Sequence, residues 1–231
     1  MSRENLVIGE NVTIGEDVVI GANVVIKDGT TIGDEVVIQD NVVLGKQPTL
    51  GRKSTASSRK DLPPLVIGRR AAVCSGSVVF AGTTLGEQVV IGDQAFVREN
   101  CAIGDGCVIG QGVCIENDVT MGVDCKVQSA SYITAYSELE DNVFVAPGVM
   151  TTNDNFMGRT EARHELIKGA VLRRGARVGG GVVILPGVEV GAEAFVAAGA
   201  LVTRDIPAGK LVAGLPARVW RDVADEEKLE P

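Results

Sequence analysis

An all-β fold of stacked triangular coils is predicted by three features: an unbroken aliphatic hexad, a small or β-branched residue at a fixed offset, and turn-forming residues between. Steps of six from Ile67 meet Val73, Val79, Leu85, Ile91, Val97, Ile103, Ile109, Ile115, Met121, Val127, Ile133, Leu139 and Val145. Four residues after each of these stands Ala, Ser, Thr, Val or Cys. A period that strict marks one unit stacked on copies of itself.

The first block begins at once, with Ile8, Ile14, Ile20, Ile26, Ile32, Ile38 and Leu44. A hexad such as Val12-Thr13-Ile14-Gly15-Glu16-Asp17 is a short in–out–in strand followed by a turn. The last turn position holds Asn11, Asp17, Asn23, Gly29, Glu35 and Asn41, all but Glu35 tolerant of positive φ. Three strands and three corners close a coil of 18 residues, and coils stack by parallel pairing at roughly 4.8 Å. The outward residues repeat at the coil period too. Face B carries Thr13 and Thr31, face C Val19 and Val37, face A Val25 and Val43.

Residues 46–66 form a polar, proline-punctuated excursion from Lys46-Gln47-Pro48 to Pro63-Pro64. An insertion of roughly 17 residues beyond one coil brings face B back at Thr84, Ala102, Thr120 and Glu138. Face C then continues through Ala72, Val90, Val108, Lys126 and Phe144, and face A through Val78, Phe96, Cys114, Tyr132 and Met150. Residues 151–171 form a second excursion, with an insertion of roughly 15. The repeat resumes at Leu172, Val178, Ile184, Val190, Val196 and Val202 and ends at Pro207, Leu215 and Pro216. About nine coils are expected over 1–216, followed by a short helical tail over 217–231 anchored by Trp220. The two excursions are five coils apart, roughly 24 Å, and are not expected to share a site within one subunit. Faces A and C are largely apolar along their length, which predicts a homotrimer packed around a three-fold axis.

Composition excludes several function classes. The net charge of −8 disfavours a nucleic-acid surface. The single histidine and the lack of any CxxC leave no ligand set, so no metal is expected. Cys101, Cys107 and Cys125 fill the small-residue slot, with Cys74 and Cys114 beside it, as packed free thiols. The N-terminus runs straight into Ile8, Ile14 and Ile20 with polar turns between, so neither a signal peptide nor a membrane span is expected, and a cytoplasmic location is the default.

These repeats resemble those of the hexapeptide-repeat acyltransferases, and the resemblance covers almost the whole chain. It implies a left-handed parallel β-helix. The stretch Ile184-Leu185-Pro186-Gly187-Val188, then Val196 to Pro207, then Ala213-Gly214-Leu215-Pro216-Ala217-Arg218 looks like the acyl-CoA end of such enzymes. Thr151-Thr152-Asn153-Asp154 looks like a loop of the branch that N-acetylates nucleotide-linked amino sugars. Where that branch often shows Ile-Gln-Asn-Asn, this chain has Val127-Gln128-Ser129-Ala130.

The resemblance implies acetyl-CoA as co-substrate and active sites between subunits. Gly180, Gly181, Ala198 and Gly199 stack at the corner between faces C and A, a track for the pantetheine arm, though such corners use glycine in any case. Arg204 and Arg218 suit the CoA phosphates; the alternative is solvated surface charge. His164 is the candidate general base for the acceptor, with Asp154 second and Asn153 to orient the amine. Tyr136 lies one coil below Asn153 and Asp154 and, like Ala130, breaks the turn rule at its corner; it joins Asn155 and Arg159 as candidate acceptor contacts. Backbone N–H groups near Gly180 are candidates for the oxyanion. The expected activity is N-acetylation of a nucleotide-linked sugar. The alternatives are O-acetylation of a small hydroxyl acceptor, or a non-catalytic β-helix scaffold.

Overall fold

A computed structural model describes residues 5–51 and 62–229, which form a parallel β-helix. Three sheets of ten, nine and eleven strands make its faces A, B and C, nearer eleven turns than the nine expected. Register follows the coil period: Thr13 pairs with Thr31, Val90 with Val108, Phe96 with Cys114. Across the first excursion Thr31 pairs with Val66, and across the second Glu138 pairs with Val171, as insertions of roughly 17 and 15 residues require. Val66 and Val171 are apolar interruptions in the otherwise polar or small face B. Of the expected charged run Arg52–Lys60, every residue lies outside the described residues.

The core is the aliphatic ladder itself. Ile26, Ile38, Leu44, Ile67, Ile91, Ile109, Ile115 and Ile133 are all fully buried, and each contributes about 1.5–3 kcal/mol relative to exposure. Corners turn through positive φ at Asn11, Asp17, Asn23, Gly29, Glu35 and Asn41, as the turn chemistry predicts. The turn after each strand holds a second device. A Cβ on Gly68 would lie 2.5 Å from the carbonyl carbon and oxygen of Gly86, and one on Gly104 would lie 2.5 Å from the carbonyl oxygen of Gly122. Glycine in this slot lets successive coils reach hydrogen-bonding distance.

All five cysteines are free thiols. Burial pushes Cys101 up to about 12, and its Sγ donates to the Glu116 carbonyl at 3.1 Å. Cys101 therefore packs as a small apolar group and is a poor nucleophile. Among the described residues, no group of three or more His, Cys, Asp or Glu side chains could hold a metal ion, and no helix is long and apolar enough to cross a membrane.

The C-terminal segment differs from expectation. Lys210–Ala213 closes sheet C, and Arg218–Asp222 pairs antiparallel with it instead of forming a helix. Only Asp225–Glu227 is helical, as a single 3-10 turn. The last strand of a coil stack exposes a row of N–H and C=O groups, and a returning strand satisfies them. Trp220 on that strand is 73% exposed and anchors nothing in the core.

The two kinds of glycine should respond differently to substitution. Gly68→Ala must push two coils apart and should cost about 1–3 kcal/mol. Gly112 has φ +62° and no atom within 4 Å of an added Cβ, so Gly112→Asn, the residue other corners use, should change stability by less than about 0.5 kcal/mol. Thermal melts of the two variants check this.

Candidate active site

The edge between faces A and B is built differently from the other two. Where the B–C edge carries the close-approach glycine in most of its coils, this edge carries Phe80, Arg98, Glu116, Thr134 and Thr152 in five successive coils. Three of them, Arg98, Glu116 and Thr134, help to enclose a cavity of about 240 Å³. Its walls include Arg98, Glu116, Asn117, Tyr132, Thr134, Tyr136, Asn153, Asp154 and Arg163.

Arg98 organises the floor. Its Nε and Nη2 donate to the two carboxylate oxygens of Glu99 at 2.9 and 2.8 Å, and its Nη1 donates to Glu116 at 2.9 Å. Glu99 is fully buried, so this fork is what makes its charge tolerable. Above it, burial and then the Glu116 carboxylate push the Tyr132 phenol up to about 12, leaving it a neutral donor near neutral pH. Tyr136 sits at φ +64° and Ala130 at φ +59°, conformations that L side chains adopt at a cost. The broken turn rule therefore corresponds to local strain, and Tyr136 does line the cavity.

The second excursion forms the outer wall. Asp154 accepts from the backbone N–H groups of Gly158 and Phe156, each at 2.8 Å, and faces the Arg163 guanidinium at 3.5 Å. The Gly158 bond, then the Phe156 bond, holds its carboxyl below the ordinary value. Both oxygens are thus engaged in closing the loop, which argues for an anchoring role over that of a base. Asn153 Nδ2 donates to the Ala135 carbonyl at the long distance of 3.5 Å. His164 lies on the short helix Arg163–Leu166, its Nε2 3.6 Å from Glu161. His164, Asn155 and Arg159 are absent from the cavity walls, whereas Arg163, one residue before the imidazole, is among them.

The expected acyl-CoA residues fall in two places. Gly181 and Gly199 lie on the corner between C and A, where an added Cβ at either would meet no atom within 4 Å, so that edge offers bare backbone outward. The N–H of Gly181 donates to Pro147 and that of Gly199 to Gly180. Those two donors are spent within the stack, which narrows the oxyanion role expected near Gly180. Arg204 and Arg218 come together around one cleft of about 170 Å³ at the end of the stack.

Sequence reasoning did not single out Arg98, Glu116, Asn117 or Arg163, and it assigned Tyr132 to subunit packing. The available signal was the loss of glycine at positions 80, 98, 116, 134 and 152, which are 18 apart and so share one edge.

Arg98→Ala would leave the Glu99 carboxylate buried without its partner. It should cost about 3–5 kcal/mol and lower the melting midpoint by roughly 10 °C; Arg98→Met combined with Glu99→Gln should recover most of that loss. The depressed Asp154 carboxyl contributes its stability above the ordinary carboxylate value of about 4, and loses it as pH falls through the lower folded value. Limited proteolysis of the 155–162 segment should therefore accelerate below about pH 4 and not between pH 5 and 8.

Known proteins share these repeats. A bacterial transferase hexapeptide (six repeats) family model matches residues 11–46 and 82–117, and a model for the hexapeptide repeat of succinyl-transferase matches residues 174–204. The galactoside O-acetyltransferase of Escherichia coli (strain K12) is 35% identical over 95 residues, covering 38% of this chain and 45% of that protein. A 2,3,4,5-tetrahydropyridine-2,6-dicarboxylate N-acetyltransferase of Staphylococcus aureus (strain JH9) is 54% identical over 48 residues, covering 21% of this chain and 20% of that one. The matches thus span less than half the length of these curated relatives. Among solved structures, the Arabidopsis UDP-N-acetylglucosamine acyltransferase superposes with a TM-score of 0.58 at 16% identity, over 95% of this chain and 73% of that one. Residues 11–46, 82–117 and 174–204 thus carry hexapeptide repeats like those of bacterial transferases, and the solved structure shares the β-helical fold.

Proposed function

We propose that this protein is an acetyl-CoA-dependent acetyltransferase whose acceptor is the amine of a nucleotide-linked sugar. The observation that carries the reading is the polar cavity on the A–B edge, only two coils below Arg204 along that same edge. Acetyl-CoA fits the other end of face A, with phosphates on Arg204 and Arg218 and the pantetheine arm along the Gly180–Gly181 and Ala198–Gly199 corner. That corner and the acceptor cavity lie on opposite edges of face A, so in this reading the thioester of one protomer meets the cavity of its neighbour in the trimer.

In this scheme the acceptor amine attacks the carbonyl carbon, forming the C–N bond as the carbonyl oxygen takes negative charge. Collapse breaks the C–S bond and releases CoA, whose thiolate takes up a proton. Asn117, Thr134 and Asn153 offer amide and hydroxyl partners for sugar hydroxyls, and Tyr132 offers a phenol donor. His164 is assigned as the base that removes the amine proton, with Asp154 anchoring the loop that carries it. Because His164 stands off the cavity walls of its own protomer, the assignment requires a homotrimer, in which the apolar faces A and C pack together and the loop meets a neighbour's cavity. Five free thiols are compatible with the cytoplasm, where we place the protein.

The galactoside O-acetyltransferase relative favours a second reading, transfer to a hydroxyl on the same machinery. A thiol-release assay over free amino sugars, nucleotide-linked amino sugars and hydroxyl acceptors separates the two. Amide product from an amino sugar supports the first reading, and turnover of hydroxyl acceptors alone overturns it. No thiol release with any acceptor would reject the transferase assignment itself. His164→Ala should lower kcat by about 10²–10⁴-fold, and a variant with unchanged kcat removes this histidine from the chemistry.

A further inference from the structure

The two excursions leave the coil stack from the same edge, five coils apart, and each lines a different cavity. The arm of the first, Lys46 to Gly51, folds over a second cavity of about 300 Å³. This cavity and the one beside Tyr132 share two wall residues, Arg98 and Glu116, so they adjoin along the A–B edge as two parts of one groove with that ion pair between them. From the coil of Phe80 to that of Thr152 the groove crosses four coil steps, roughly 19 Å at the strand spacing. A single sugar ring fills only one end of it.

The two ends differ in chemistry. Around Asn117, Thr134 and Asn153 the walls offer amides and hydroxyls. At the other end Phe80 and Phe96 pack edge to face, with centroids 5.0 Å apart and planes at 69°. Lys46 Nζ lies 5.2 Å from the Phe80 centroid and the Arg98 guanidinium 5.9 Å from it, with Pro48 and Leu50 closing the side. Phe80 is buried as the floor, and Phe96 remains partly exposed. Arg98 has Nε and Nη2 on Glu99 and Nη1 on Glu116. One guanidinium thus faces two carboxylates, and among the described residues Lys46 is the cation this end can offer to an anion. An ammonium above an aromatic and aliphatic floor suits a flat ring carrying a phosphate.

We propose that the pocket formed by Lys46, Phe80 and Phe96 with the 46–51 arm is a second acceptor subsite, which takes the nucleoside diphosphate end of a nucleotide-linked substrate while the sugar lies beside Tyr132 and Asn153. This rests on the acetyl-transfer reading for the sugar end only; nucleotide binding at this pocket can be measured without turnover. It makes the first excursion a determinant of acceptor specificity, five coils from the loop that closes over the sugar.

The test uses the full chain and two readouts. Isothermal titration with UDP, GDP and dTDP should show binding of at least one of them, weakened about tenfold or more by Lys46→Ala and by Phe96→Ser. Thiol release should favour the nucleotide-linked amino sugar over the free one, and Lys46→Ala should reduce that ratio of kcat/KM by about tenfold. Lys46→Arg, which keeps the charge, should retain much of it. Nucleotide binding that weakens as expected without any thiol release would uphold the subsite and reject the transferase reading. Equal kcat/KM for free and linked acceptors, or nucleotide binding indifferent to both substitutions, would overturn the subsite. Circular dichroism melts confirm that the variants are folded before either readout is taken.

Discussion

The stacking contact between coils governs this molecule. Strands within the stack hydrogen-bond to the strand one coil before and one coil after, and where glycine fills the slot after a strand the turns of successive coils pack backbone on backbone. Gly68 against Gly86 and Gly104 against Gly122 leave no room for a Cβ. Contacts that tight fix the register, and a fixed register fixes the face of every residue modulo the coil period. The inner aliphatic ladder adds burial energy, but it would tolerate a slip of one hexad; the different outward residues of the three faces and the lengths of the two insertions do not.

That constraint also explains where function can be built. A side chain in the glycine slot forces neighbouring coils to accommodate it, so a run of large residues there needs compensation. On the A–B edge, Phe80, Arg98, Glu116, Thr134 and Thr152 occupy the slot in consecutive coils, and the compensation is a network of polar contacts. Arg98 joins a fully buried carboxylate on its own coil to a second carboxylate one coil on. A buried ion pair of this kind adds little net stability. Its consequence is positional: it holds Glu116 at the centre of a groove whose two ends lie beside the two excursions. The B–C edge is the regular one, and the A–B edge the chemical one.

The fold was legible in the sequence because periodicity alone determines it. Face membership, the length of both insertions and the positive-φ corners all follow from residues counted in steps of six and eighteen, and the pairings of Thr31 with Val66 and Glu138 with Val171 match that count. The site was less legible, for two physical reasons. Both excursions leave one edge, and the separate cavities beside them share Arg98 and Glu116, a side-chain relation that strand spacing does not record. In the C-terminal segment, the charged residues among Ala217–Leu229 suit a helix locally. The open edge of sheet C instead takes Arg218–Asp222 as a strand, and no local pattern records that a last coil needs a partner. The glycine slot did record the edge, since residues 80, 98, 116, 134 and 152 depart from it in step.

Asp154 shows how the same loop separates anchoring from chemistry. Its carboxylate is positioned at the cavity mouth, where a base would be useful. Yet hydrogen bonds from Gly158 and Phe156 and the nearby Arg163 guanidinium all favour its charged, unprotonated form and lower its affinity for a proton. A group stabilised in this way is a weak proton acceptor for an ammonium or a hydroxyl, because any proton transfer would break the contacts that hold the loop. The single imidazole, ten residues further along the same loop, carries no such burden: its only ion-pair neighbour among the described residues is Glu161, on its own segment. Asp154 and the imidazole therefore have separate surroundings within one excursion. The Asp154 contacts close the loop on itself, and in the proposed trimer it is the imidazole end that meets the neighbouring protomer.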